Sequence, residues 1–433
     1  MNHTRVTGPV SRRLRRHPAV LPAAVGLVVA ALAGCTAVTG SESGGTTTPE
    51  PSGAGPPAAV TPAAAGSTSS GAASVEGPYA HTGAADLSPV ARRARTLVYV
   101  PNQQAGTVQV IDPGTYTVVA TYPVAQSPEH VVPGYDLTTL WVNSDAGSTL
   151  TAIDPATGTV RARVAVADPY NLYFTPDGTE ALVMAERLQR IDVRDPATMA
   201  LRRSLPVPCR GMNHADFSAD QRTLFVSCEF TGQLLILDAD ADADTIRQVV
   251  DLNHIATPGA TDPMHAQMRG GPMGWLEPGA SSMPQDVRLA PDGAHLLVAD
   301  MMRNGVWILD AATAAVDRFL PTGTGAHGIY PSRDAQSVYV SNRDEGTISV
   351  LDARTLQVAQ KWTLPGGGSP DMGGVTADGT QLWLSGRYSS LVYVIDTRTG
   401  QLLHSIPVRA GPHGLLVWPQ PGRYSLGHTG NMR

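Results

Sequence analysis

AHGIYPSRDAQSVYVSNRDEGTISVLDARTLQVAQKWTLP, residues 326–365, decides the architecture of this chain. It holds four short apolar runs separated by polar turns: a first strand, A, from Ala326; a second, B, through Val338-Tyr339-Val340; a third, C, ending at Asp352; and a fourth, D, running to Leu364. Runs this short, broken by turn residues, form strands joined as hairpins and not helices. Residues 369–408, SPDMGGVTADGTQLWLSGRYSSLVYVIDTRTGQLLHSIPV, repeat the same order. The A–B turns Pro176-Asp177-Gly178, Pro291-Asp292-Gly293 and Ala377-Asp378-Gly379 provide the φ > 0 residue of a tight hairpin. The B–C turns carry Gly106, Gly147, Gly232, Gly305 and Gly346 for the same reason.

Working outward, seven apolar strands end in an aspartate: Asp112, Asp154, Asp192, Asp238, Asp310, Asp352 and Asp396, spaced 42, 38, 46, 72, 42 and 44 residues apart. The long interval is one repeat plus an insertion, residues 253–283. A period of about 40 to 45 with four strands per unit predicts a β-propeller, whose blades bury their faces only against neighbours. The aspartates themselves read as turn caps. The first repeat lacks a strand A, because Pro89 to Arg95 is too charged, and Pro412-His413-Gly414-Leu415-Leu416-Val417 at the other end matches Ala326-His327-Gly328-Ile329-Tyr330. The expectation is therefore an all-β, seven-bladed propeller closed by a C-terminal strand A that joins N-terminal strands B–D.

Val338-Tyr339-Val340-Ser341-Asn342 followed by Thr347-Ile348-Ser349-Val350-Leu351-Asp352 resembles the YVTN family of β-propeller repeats, with variants at Val98-Tyr99-Val100-Pro101-Asn102 and Leu140-Trp141-Val142-Asn143. The resemblance covers residues 96–428. It implies fold strongly and function weakly, since such propellers serve as binding, scaffold and enzyme domains alike.

In a propeller the D–A and B–C connections share one face, so residues that start strand A ring the channel mouth. Blade by blade these are His413, His130, Asn171, His214, Asp286, His327 and Asp371. Ends of strand B reach the same face with Asn102, Asn143, Glu186, Cys228-Glu229, Asp300, Asn342 and Arg387. Cys209, in the D–A connection before His214, belongs there too; with Cys228 it forms either a disulfide or a pair of metal-binding thiolates. The insertion is also a D–A connection and carries His254, Met264, His265, Met268, Met273 and Met283, a composition that suits a soft metal such as copper or that packs a lid. Counting from His413 as from His327 to Asn342 places His428 at a strand-B end. His428-Thr429-Gly430 repeats His81-Thr82-Gly83, so both ends would fold over the mouth. The run from Asp238 to Asp244 lacks the Gly and distal Glu of a calcium loop and reads as a solvated acidic turn.

Residues 1–35 read as an export signal: Arg12, Arg13, Arg15 and Arg16, then the apolar Val20 to Ala33. Leu32-Ala33-Gly34-Cys35 resembles the lipobox of bacterial lipoproteins, which implies acylation of Cys35 and anchoring on the outer side of the cytoplasmic membrane or cell envelope. Residues 36–88 are Gly, Ser, Thr, Pro and Ala, a tether that cannot offset its ordering entropy, and 89–433 is the propeller. The leader holds five arginines and no acid, so 26 basic residues face 37 acidic ones in the remainder. That balance excludes a phosphate-neutralising surface and with it a nucleic-acid partner.

No G-x-S-x-G, H-E-x-x-H or P-loop motif is present. Three functions fit: a monomeric binding module for a protein or small-molecule ligand at the mouth, without catalysis of its own; a copper-like metal carrier or metal-dependent oxidoreductase using His130, His214, His327 and His413 with Asp286 or Asp371; and a lactonase-like hydrolase with Asn171, Asp286 and Asp371 on calcium. Asn171, Cys209, Cys228, Glu229, Asp300, Asn342, Arg387 and His428 complete the expected ligand face.

Overall fold

The computed structural model describes residues 77–239, 245–257, 277–428 and 430–433. The lipobox with Cys35, most of the tether, the acidic turn beyond Ala239, and Met264, His265, Met268 and Met273 lie outside them.

Seven four-stranded antiparallel sheets form the ring. In blade six the order is Ala326–Pro331, Ser337–Asn342, Thr347–Asp352 and Gln357–Thr363. Strand A is buried almost throughout, whereas strand D is mostly exposed. The core lies between blades, as each blade's faces need a neighbour. Tyr330, Tyr339, Ile348 and Trp362 of blade six pack on Val375, Leu382, Leu384 and Tyr393 of blade seven. Blade one is the sheet built from both ends: Leu416–Trp418 pairs with Leu97–Asn102, with Leu97 opposite Trp418 and Tyr99 opposite Leu416.

The C–D aspartates behave as turn caps. Asp352 Oδ1 accepts from the amides of Arg354 (3.1 Å) and Thr355 (2.8 Å), and Asp396 Oδ1 from those of Arg398 (3.0 Å) and Thr399 (2.8 Å). Asp238 pairs with Arg247 at 3.1 Å, its turn lying outside the described residues, and Asp192 departs from the pattern. It is buried inside strand C of blade three, paired with Arg190 at 2.8 Å and Arg194 at 3.0 Å, and Asp195 makes the turn instead, 2.9 Å from the Thr198 amide. Counting from Asp195 restores intervals of 41 and 43 residues on either side.

Strand A carries a β-bulge in every blade. In blade six Ala326 faces Asn342 but Ile329 faces Val340, one extra residue on strand A; blades two, three, four, five and seven shift likewise at Pro128/His130, Pro169/Asn171, Met212/Ala215, Pro284/Val287 and Pro370/Gly373. In the closing blade, Pro412 bridges Asn102 while Leu416 faces Tyr99, the same surplus. A bulge bends the strand locally and re-aims a side chain.

Beyond Trp418 no strand B follows, so the counted position of His428 does not exist. The chain instead turns back into the channel from the A–B face. Ser425 N–H donates to Tyr135 O, Leu426 O accepts from Phe174 N–H, Gly427 bridges Tyr173, and His428 N–H donates to Leu172 O. Ser425 also bridges Met432, closing a short hairpin. Residues 77–95 run on that same face: Tyr79 donates to Leu289 O and lies 5.1 Å from the Arg433 guanidinium. His81 and His428 therefore do not meet over the mouth.

Candidate metal centre in the channel

The bulges turn the residues at the start of strand A toward the axis, and four of them are histidines from four different blades. His130 and His413 have ring centroids 4.9 Å apart, His130 and His214 5.3 Å, His214 and His327 6.1 Å, and His327 and His413 6.1 Å. His428 joins from the returning tail, 4.6 Å from His214 and 5.2 Å from His130. Two ligand sets result: His130, His214 and His428, and His327, Asp371 and His413, with donor atoms in each set lying within 4.8 Å of one another. All six residues are buried.

The partners of these rings decide which atoms remain available. His130 Nδ1 sits 3.1 Å from Tyr170 O, and its Nε2 has no protein partner. His413 Nδ1 is 2.8 Å from Glu129 Oε2, which leaves Nε2 directed to Asp371 Oδ2 at 3.7 Å. Asp371 Oδ1 takes both the Nε (2.9 Å) and Nη2 (2.6 Å) of Arg343, and Oδ2 has no hydrogen-bond partner. Both ring nitrogens of His214 are without a hydrogen bond. Metal-ligating imidazoles typically give their second nitrogen to a carboxylate or a backbone carbonyl, and ligating carboxylates are held in the same way. Glu129, Tyr170 O and Arg343 stand in those places.

Burial holds the imidazoles neutral. Desolvation pushes His130 down to about 4, and it drives His214, His327, His413 and His428 well below the ordinary value, helped by neighbouring imidazoles, by Arg288 at His214 and His428, and by Arg343 and Arg387 at His327 and His413. Neutral imidazole is the ligating form. On the mouth side Tyr170 meets both His130 and His214 edge-on, at 5.3 and 6.4 Å. Its hydroxyl is raised by burial and by Glu229, Glu129 and Glu186. Burial pushes Glu229 up to about 7. Glu186 is raised well above its ordinary value by burial and by Glu229, Glu129 and Asp145.

The other expected residues divide. Cys209 and Cys228 form a disulfide, which settles that alternative and pins the D–A connection beside His214. Asp300 spends its oxygens on the structure of blade five: the Ser282 hydroxyl, the amides of Met283 (2.9 Å), Met302 and Arg303, and the Trp307 indole (2.8 Å). Asn342 ties Thr347 and Ser349 of its own blade to Thr322 in the preceding D–A connection. Asp286 accepts from Ile329 N–H at 2.8 Å with Arg288 at 3.5 Å, and its Oδ1 lies 3.7 Å from His428 Nε2. Asn171 binds Leu172 N–H through its oxygen and reaches Asn213 O and His428 Nδ1 through its nitrogen. Of the three residues of the hydrolase reading, Asp286 and Asp371 each keep one oxygen without a hydrogen-bond partner, Oδ1 and Oδ2 respectively, while the Asn171 oxygen is taken by Leu172 N–H. Arg387 lies 3.7 Å from Glu129, and Glu229 accepts from Asn213 at 2.6 Å. In the insertion, exposed His254 lies 3.8 Å from Asp251, while Met283 packs with Met301, Met302 and Phe230.

Glu129, Tyr170 and Arg343 were not singled out from sequence. Each is the immediate neighbour of a residue that was, and the surplus residue of the bulge (or the first turn residue after strand B) brings it to the site.

The ring and its histidine-lined channel define the molecule as a seven-bladed β-propeller with a polar axial site. The chain belongs to the YNCE-like β-propeller family, whose profile matches residues 63–201 and 272–422. Among solved structures it resembles a protein of unknown function from Desulfotomaculum acetoxidans, at 16% identity and a TM-score of 0.56 over 73% of this chain and 98% of that one. Hydrazine synthase of Kuenenia stuttgartiensis matches at 17% and 0.54 over 71% and 94%, and apo AztD from Citrobacter koseri at 11% and 0.53 over 74% and 96%. Identities this low speak for the fold alone. No curated protein matches the sequence.

Proposed function

We propose that this protein is an exported, lipid-anchored propeller that binds a transition-metal ion, copper or zinc, in its central channel. One observation carries the reading: buried donor atoms converge from separate blades, with His130 Nε2, both nitrogens of His214 and Asp371 Oδ2 lacking a hydrogen-bond partner and His327 Nδ1 lying 3.1 Å from Asp371 Oδ1. An unsatisfied buried polar group costs about 1–3 kcal/mol, and a bound ion would satisfy several at once. Imidazole with one carboxylate suits zinc, copper, iron or nickel and not calcium or magnesium. The methionine-rich insertion favours copper among these. The Cys209–Cys228 disulfide supports an oxidising compartment, in keeping with the leader and lipobox. A binding role needs no catalytic residue, and none is assigned.

The test is metal analysis of the full-length protein purified from its native envelope without chelators. Stoichiometric copper or zinc is expected, abolished by combining His130→Ala with His214→Ala. Trace metal that is indifferent to that double substitution would sink the reading.

A further inference from the structure

Four of the imidazoles in the channel are held by blades from the mouth side, but His428 arrives from the opposite end on a segment that belongs to no blade. Its anchor points lie toward the A–B face. Tyr424 stacks on Tyr135 at 5.1 Å, in the A–B turn of blade two, and its hydroxyl meets the Gln221 amide at 2.9 Å in the A–B turn of blade four. Arg433 reaches Asp216 at 2.8 Å, and Asn431 donates to Ala215 O in the same strand A that carries His214. Leu426 is fully buried in the core shared by blades three and four. The hairpin thus fills the channel from below, with its tip against His130 and His214.

We infer that residues 419–433 are a metal-responsive plug: the hairpin supplies His428 as the third imidazole to the His130–His214 pair, so ion occupancy and plug order are coupled. The inference rests on the channel being a metal site. Two blade imidazoles alone make an open pair; the third, from the plug, completes a three-nitrogen set of the kind that holds zinc or copper. Because coupling is reciprocal, an ion that draws on His428 tightens the hairpin, and whatever loosens the hairpin weakens the ion by the same factor. With the plug below it, the ion would enter from the D–A/B–C mouth, past Tyr170 and the surrounding carboxylates, and its presence would be reported on the far face, where Tyr79 covers Arg433.

The experiment uses the full chain, with zinc affinity measured by competition against a chromophoric chelator and amide hydrogen exchange followed in the 419–433 peptides. Zinc is expected to slow exchange at Gly427 and His428 about tenfold or more. Tyr424→Ala, which touches no ligand, is expected to weaken zinc by about tenfold, within the usual range of coupling between sites. Tyr424→Phe keeps the stacking and is expected to retain wild-type affinity. His428→Ala should weaken zinc at least as much as Tyr424→Ala. The plug is overturned if Tyr424→Ala speeds exchange in the hairpin while zinc affinity stays at the wild-type value, or if zinc leaves that exchange unchanged. Those outcomes spare the channel reading, provided His130→Ala with His214→Ala still abolishes binding. A wild-type chain that takes up no zinc or copper overturns both.

Discussion

Gly414 shows how finely the site depends on single residues. It follows His413 in the closing strand, donates its amide to Glu129 O at 2.9 Å and accepts from Val131 N–H at 3.1 Å, so the two backbones nearly touch. A Cβ there would overlap Cδ2 of His130 and stand 3.0 Å from Glu129 O. Gly414→Ala must therefore displace the His130 ring or the Glu129 backbone that orients His413. The expected result is zinc affinity lowered by about tenfold, as for disturbed outer-shell partners, with an overpacking cost of about 1–3 kcal/mol. Chelator competition and thermal unfolding of the variant read the two effects separately. At this scale His130, His214, His327, His413 and Asp371 were legible, because each starts strand A in an aligned repeat. Glu129, Tyr170 and Arg343 were not, since strict alternation points each of them away from the neighbour that was read. The strand-A bulge overrides that alternation for Glu129 and Tyr170, and the turn after strand B does so for Arg343, neither leaving a mark in the pattern of apolar residues.

Among elements, the C–D turn is the unit that made the fold readable, and its chemistry gives it a pH signature. Hydrogen bonds from the Thr198 amide and hydroxyl, with Arg202, hold Asp195 down to about 2; the amide and hydroxyl of Thr313, Thr355 and Thr399 lower Asp310, Asp352 and Asp396 in the same way. A carboxyl depressed on folding adds stability above its unfolded value, 3.8, and loses it as the pH falls through the folded value. The melting temperature should therefore drop between pH 4 and pH 2. Asp195→Asn, which keeps the acceptor and removes the charge, should show a shallower drop in the same thermal scans. The slip at Asp192 belongs to this scale as well. Strand C of blade three ends in Asp-Val-Arg-Asp, two candidates in one turn, and only burial distinguishes them: the arginines on either side satisfy Asp192 inside the sheet.

For the whole molecule, closure is the decisive feature, and it was legible because Pro412 to Val417 copies the start of another blade. The course of the chain after Trp418 was not, since the repeat stops there and counting continues a pattern that no longer exists. Leu416 is fully buried against Tyr99 and Trp418 in the core of the joint. Leu416→Ala should cost about 2–5 kcal/mol, read as a lower midpoint in denaturant, and it should loosen blade one before the others in hydrogen exchange.

The order in which such a chain is made gives the joint a further meaning. Leu97–Asn102 is an early strand whose inner partner, Leu416–Trp418, is translated only after every other blade, so its edge waits unpaired through almost the whole of synthesis. His413 and His428 arrive in that same late stretch. A chain broken off before that stretch has at most six complete blades, an open seam and neither His413 nor His428, so an ion held in the channel would mark a ring that has been sealed.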